Sequence, residues 1–112
     1  MPRYLISFPG DAMSHVPAEE IPAVSDAAHR VMREALDAGV WVFGGGLKSQ
    51  EEVSVVGTDG TVTDGPERKA YIGGFSVVDV ASREEAMAWA AKIAVACRCA
   101  QEVREFVFDP TV

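Results

Sequence analysis

Short runs dense in β-prone apolar residues recur along the chain, and two longer stretches between them repeat at helical spacing. The first run, residues 3–8, reads Arg-Tyr-Leu-Ile-Ser-Phe and predicts a strand that Pro9-Gly10-Asp11 ends. A polar, punctuated stretch with Ser14, His15 and Pro17 predicts a loop. From Ala18 to Ala38 the period turns helical. Ile21, Val24, Ala28, Val31, Met32, Ala35 and Leu36 fall on one face, which should lie on a sheet. Pro22 is tolerated there because the first helical turn has no amide partner to lose. Gly39 can take the left-handed conformation that stops the helix.

Val40-Trp41-Val42-Phe43 then predicts a second strand, closed by Gly44-Gly45-Gly46. A glycine run of this kind permits a bulge, a tight turn or close approach of another group to bare amides, which makes Gly45 a candidate ligand contact. It does not read as a phosphate loop, since Lys48-Ser49 is followed by strand-like residues and not by a helix. Glu52 to Val56 and the residues from Val62 predict a hairpin around the Asp59-Gly60 turn. Asp64-Gly65-Pro66 breaks it, and Glu67-Arg68-Lys69 should be exposed. Tyr71 to Val78 predicts a strong strand, on which Gly74, Ser76 and Val78 share the face with a recess. Gly74 is therefore a second glycine candidate for ligand contact.

Ser82 and Glu85 form a capping-box pair ahead of a helix carrying Ala86, Met87, Ala90, Ile93 and Ala94. Trp89 sits beside that stripe, where packing against a loop or partner is expected. Residues 101–108 predict the last strand, with Val103 and Val107 on one face and Glu102, Arg104, Phe106 and Phe108 on the other. The element order predicts an α+β, ferredoxin-like antiparallel sheet with two helices on one face, as a single domain over residues 1–112. The bare sheet face then argues for a homodimer enclosing a shared chamber.

Composition narrows the function. Seventeen acidic against ten basic residues give a net charge of −7, which argues against direct nucleic-acid binding. No run reaches the roughly 18 apolar residues of a membrane span, and a cytoplasmic location is expected. Cys97 and Cys99 stand too close in sequence for an ordinary disulfide, and with His15 and His29 distant they make a poor metal set. No metal or cofactor is expected, because paired-histidine, nucleophile-elbow and dinucleotide motifs are all missing.

Four polar residues remain as candidates for chemistry. His29 lies at the edge of the first helix's apolar stripe, where an imidazole could pack indoors and transfer a proton in a cleft. Asp64 either bonds turn amides or orients His29. Glu102 and Arg104 project to one face, either as an ion pair or, inside a cavity, as contacts to an anionic small molecule.

Val62-Thr63-Asp64-Gly65-Pro66, followed by Ile72-Gly73-Gly74-Phe75, resembles the YCII-related family, particularly its DGPF-type branch. Ala38-Gly39-Val40, Gly44-Gly45-Gly46-Leu47, Glu85-Ala86, Trp89-Ala90 and Glu102-Val103-Arg104 stand in matching order. The resemblance implies a ferredoxin-like fold, a dimeric α+β barrel, and a pocket in which some relatives place a His and Asp pair. His29 is displaced by one residue from the family's helix position, and Asp64 belongs to a different element from the Asp of that pair. Glu67 and Glu105 replace the usual aromatic residue and Pro.

Relatives with similar folds include isomerases, lyases and dehalogenating enzymes, which points to an enzyme-like protein acting on an anionic organic compound. Some DGPF-type proteins are associated with sigma-factor-like proteins, which supplies the alternative of a non-catalytic regulatory module.

Overall fold

The computed structural model describes residues 2–65 and 72–111. Its elements are strand β1 (Arg3–Pro9), helix α1 (Ile21–Asp37), strands β2 (Trp41–Gly46), β3 (Ser54–Val56), β4 (Val62–Asp64) and β5 (Ile72–Asp79), helix α2 (Arg83–Cys97) and strand β6 (Glu102–Glu105). Short 3-10 turns at Ala18–Glu20 and Gln50–Glu52 precede α1 and β3. The expected helix from Ala18 thus starts as a 3-10 turn. Tyr71, Pro66 and the Glu67-Arg68-Lys69 segment lie outside the described residues.

Helix α1 ends, and helix α2 begins, where the sequence says it should. Gly39 has φ +76°, and its amide donates to the Leu36 carbonyl while that of Val40 reaches Ala35, both at 3.0 Å. This pair of bonds satisfies carbonyls that the helix itself leaves open, and it turns Val40 back into the core beside Ala35. At the start of α2 the Ser82 hydroxyl accepts from the Glu85 amide at 3.2 Å. The Glu85 carboxylate accepts from Ala81 at 3.4 Å, one residue before the cap. Two exposed bridges tie the first helix and its preceding turn to α2. Lys92 Nζ lies 2.7 Å from Glu34 and 5.3 Å from the Trp89 ring centroid, and Arg98 pairs with Glu20.

The main sheet is antiparallel, in the order β2-β5-β1-β6. Both helices pack on one face of it. Ile6 and Val78, fully buried on the two central strands, meet Val31 and Ala35 of α1 and Ala86, Ala90 and Ile93 of α2 in a single core. The expected antiparallel α+β arrangement with two helices is observed. The expected dimeric α+β barrel is not. The sheet has four strands with β2 and β6 at opposite edges, so it stays open. A sheet this narrow cannot curl far enough to join its own edges.

Two further differences have local causes. The final strand stops at Glu105, leaving Phe106, Val107 and Phe108 exposed, because β1 offers no partner beyond the Arg3 carbonyl that receives the Phe106 amide. The hairpin expected to turn in two residues instead uses residues 57–61. Gly57 N–H donates to Thr61, and the Asp59 carboxylate accepts from the Thr61 amide at 3.0 Å. Those hydrogen bonds hold the Asp59 carboxyl below its ordinary range. Strands β3 and β4 form a separate two-stranded ribbon, not an extension of the main sheet.

Candidate functional site

A cavity of about 300 Å3 lies between α1 and the helix-bearing face of the sheet. Its origin is the glycine run, which the structure places inside β2 and not in a turn after it. A Cβ on Gly44 would press on the Phe75 carbonyl oxygen and come within 2.8 Å of Ser76 Cα, so glycine is required for β2 to approach β5. Register shifts between Trp41 and Phe43, which accommodates that approach. Gly46 differs. Its nearest neighbour to a built Cβ is the Gly73 carbonyl oxygen at 4.0 Å, and its φ is not positive. The missing side chain there leaves space, not a tolerated clash.

Each wall comes from a different element. From α1, Ile21, Ser25, Ala28, His29 and Met32 line the cavity at spacings that keep them on one stripe. Phe8 of β1 and Trp41 of β2 supply aromatic rings, and Met13 closes in from the loop after β1. The far end is built by Ile93 and Cys97 of α2 with Gln101 just beyond it. Burial pushes the Cys97 thiol above its ordinary range, with the neighbouring Cys99 adding to the shift, so the wall there is uncharged at neutral pH. None of the lining residues is Lys, Arg, Asp or Glu.

His29, an exposed residue, is the exception in this mainly apolar lining. Its Nδ1 is 2.7 Å from the Ser25 carbonyl oxygen, with the Ser25 hydroxyl more distant at 3.4 Å. A carbonyl can only accept, so Nδ1 carries the proton that it donates, and in the neutral ring Nε2 is then the acceptor. The helical i, i−4 spacing of His29 and Ser25 sets this tautomer without help from another element. Sequence reasoning located His29 at the stripe's edge but did not find its local partner. The spacing of Ser25 was the available signal.

The other predicted residues lie elsewhere. Gly45 shares the cavity with His29. Gly74 is buried under the Phe8 ring, whose nearest carbon would sit 2.7 Å from an added Cβ, so the recess expected over it is filled. The Asp64 carboxylate accepts the Ser54 hydroxyl at 2.6 Å within the β3–β4 ribbon and does not line this cavity. Arg104 pairs in register with Leu5 and lines a separate groove with Leu5, Glu105, Phe106 and Val107. Glu102, opposite Ser7, shares its strand face. Because Tyr4 and Ile6 point into the helix-covered core, Leu5, Ser7 and their partners point to the opposite side. The sheet therefore separates Arg104 and Glu102 from His29. His15 is exposed in the first loop.

Among the described residues no group of three or more His, Cys, Asp or Glu side chains could hold a metal ion. No described helix is long and apolar enough to cross a membrane. No curated protein is similar enough in sequence to match. The model of the YCII-related domain matches residues 10–107, a span that includes both helices, every strand after the first and most of the cavity wall. The chain belongs to the YCII-related family.

Proposed function

We propose that the protein binds a small organic molecule between α1 and the sheet and that His29 moves a proton on it. The observation that carries this reading is the pairing of His29 Nδ1 with the Ser25 carbonyl at the wall of a mainly apolar cavity. An imidazole held in one tautomer presents a ready acceptor, which suits general-base chemistry. In an isomerisation, Nε2 takes the proton of a ligand O–H or N–H, the electron pair left behind shifts into the ligand's π-system, and the same proton returns to a carbon. In an elimination the electron pair instead expels a leaving group. The DGPF-type sequence at Val62 to Pro66 supports placement in that branch, and the free thiols of Cys97 and Cys99 support a cytoplasmic setting.

The test begins with mass spectrometry of small molecules that co-purify with the protein, followed by binding of the recovered compound. His29→Ala is expected to weaken binding about tenfold, the equivalent of one hydrogen bond. Arg104→Ala, on the other side of the sheet, should leave it unchanged. Loss of binding in the Arg104 variant alone would overturn this assignment.

Self-association has separate support on the outer sheet face. Phe43 is 65% exposed there, its ring 6.2 Å from that of Phe75, and Leu5 and Val77 continue the apolar surface. The chain measures 18 Å across its thinnest dimension, room for one sheet and one helical layer and no third. A second copy placed on this face would shield it without closing either sheet. Sedimentation should give a dimer that Phe43→Glu dissociates. A monomer in both cases would leave the face to the alternative, a sigma-factor-like protein partner of a non-catalytic module.

A further inference from the structure

We infer that the ligand of this cavity is a flat, uncharged ring compound that carries one O–H or N–H donor. The inference rests on the binding reading above and specifies what it accepts. The first observation is the floor. Neither backbone conformation nor a steric clash demands glycine at position 46, since its φ is not left-handed and a Cβ would meet nothing closer than 4.0 Å. Gly46 closes β2 and still pairs with Gly74, a strand position that a β-branched side chain suits better than glycine. The residue nonetheless leaves a bare peptide surface exposed to the cavity beside Gly44 and Gly45. A surface without side chains admits a flat group at van der Waals distance over its whole area. It offers a bulky, puckered one much less contact.

The second observation is the wall chemistry. The aromatic rings of Phe8 and Trp41 and the thioethers of Met13 and Met32 are groups that pack well against a π-face. The third is charge. No lining residue is Lys or Arg, so a carboxylate or phosphate placed inside would give up part of its hydration with no guanidinium or ammonium to replace it. An anionic ligand held by Arg104 would lie across the sheet, outside this cavity. What the wall does present is an acceptor, Nε2 of His29, with the Gln101 amide and the Ser25 and Ser76 hydroxyls as secondary polar groups. A volume of about 300 Å3 is at the small end for ligand pockets and suits one or two fused rings.

Three probes separate the components. Indole is flat, neutral and an N–H donor; benzoate is flat but anionic; cyclohexanol is a neutral donor that is not flat. Dissociation constants at pH 8 from ligand-observed NMR are expected to favour indole at least tenfold over each of the others. Gly46→Val should abolish indole binding while circular dichroism and thermal stability show an intact fold. Arg104→Ala, on the opposite face of the sheet, should bind as the parent does. His29→Ala should weaken indole about tenfold.

Benzoate or cyclohexanol binding as tightly as indole, and lost in Gly46→Val, would overturn the ring inference and leave the cavity reading standing. Indole binding unaffected by a folded Gly46→Val protein would overturn both. If no probe bound at all, the ring inference would fall. Loss of the co-purified compound in Gly46→Val would then still uphold the cavity as its site.

Discussion

Gly44→Ala is expected to lower the stability of the fold by about 3 kcal/mol, the upper part of the range for forcing atoms into a packed site. The added methyl would collide with backbone, namely the Phe75 carbonyl oxygen and Ser76 Cα, and then with the Trp41 ring at 3.0 Å. A side chain can rotate away from such a contact, whereas a strand must move. Moving β2 away from β5 would break the ladder that runs from Trp41↔Val78 to Gly46↔Gly74. It would also open the cavity, since Trp41 and Gly44 to Gly46 all line it. Urea denaturation should show the lowered midpoint. A Gly44→Ala protein as stable as the parent would mean that β2 does not lie this close to β5.

Ile6→Ala is expected to cost about 3 kcal/mol as well, by loss of apolar burial and the void left behind. Ile6 is 0% exposed on central strand β1, opposite Ser76 of β5 and Val103 of β6. Both helices pack over it through the shared core, so little of the void can be filled by relaxation. Because its neighbour Ser76 lines the cavity, the same substitution should loosen the ligand site. Ser7→Ala, on the next residue but the opposite face, is the comparison. Its Ser7↔Phe75 and Ser7↔Glu102 backbone pairings do not depend on the side chain. Equal losses from the two substitutions would contradict the assignment of faces.

The parts of the fold written in local chemistry were legible from the sequence. Gly39 after a helical stripe and the Ser82–Glu85 cap each predict a feature set by neighbouring atoms, and each is found. So were the strands, through their β-prone runs. What the sequence obscures is set by distant partners. Gly44 to Gly46 could equally make a turn, a bulge or a close approach, and only the register against β5 shows a close approach, at Gly44. Alternation correctly groups Glu102 with Arg104, yet it says nothing of which side of the sheet the helices cover. That depends on the pairing of Leu5 with Arg104.

The cavity under α1 escaped the sequence for the same reason. A bare apolar face invited a closing partner, whereas the cavity formed under α1, where glycine removed volume from an otherwise ordinary helix-on-sheet core. His29 was visible as an oddity at the edge of a stripe. Its fixed tautomer became visible only with the Ser25 carbonyl at 2.7 Å.

A crystal structure with the co-purified ligand bound is the most direct measurement of where this protein works. The ligand should lie between α1 and β2, against the Gly46 peptide, with a donor atom within hydrogen-bonding distance of His29 Nε2. Density beside Arg104 on the outer face, with nothing bound under α1, would contradict the account.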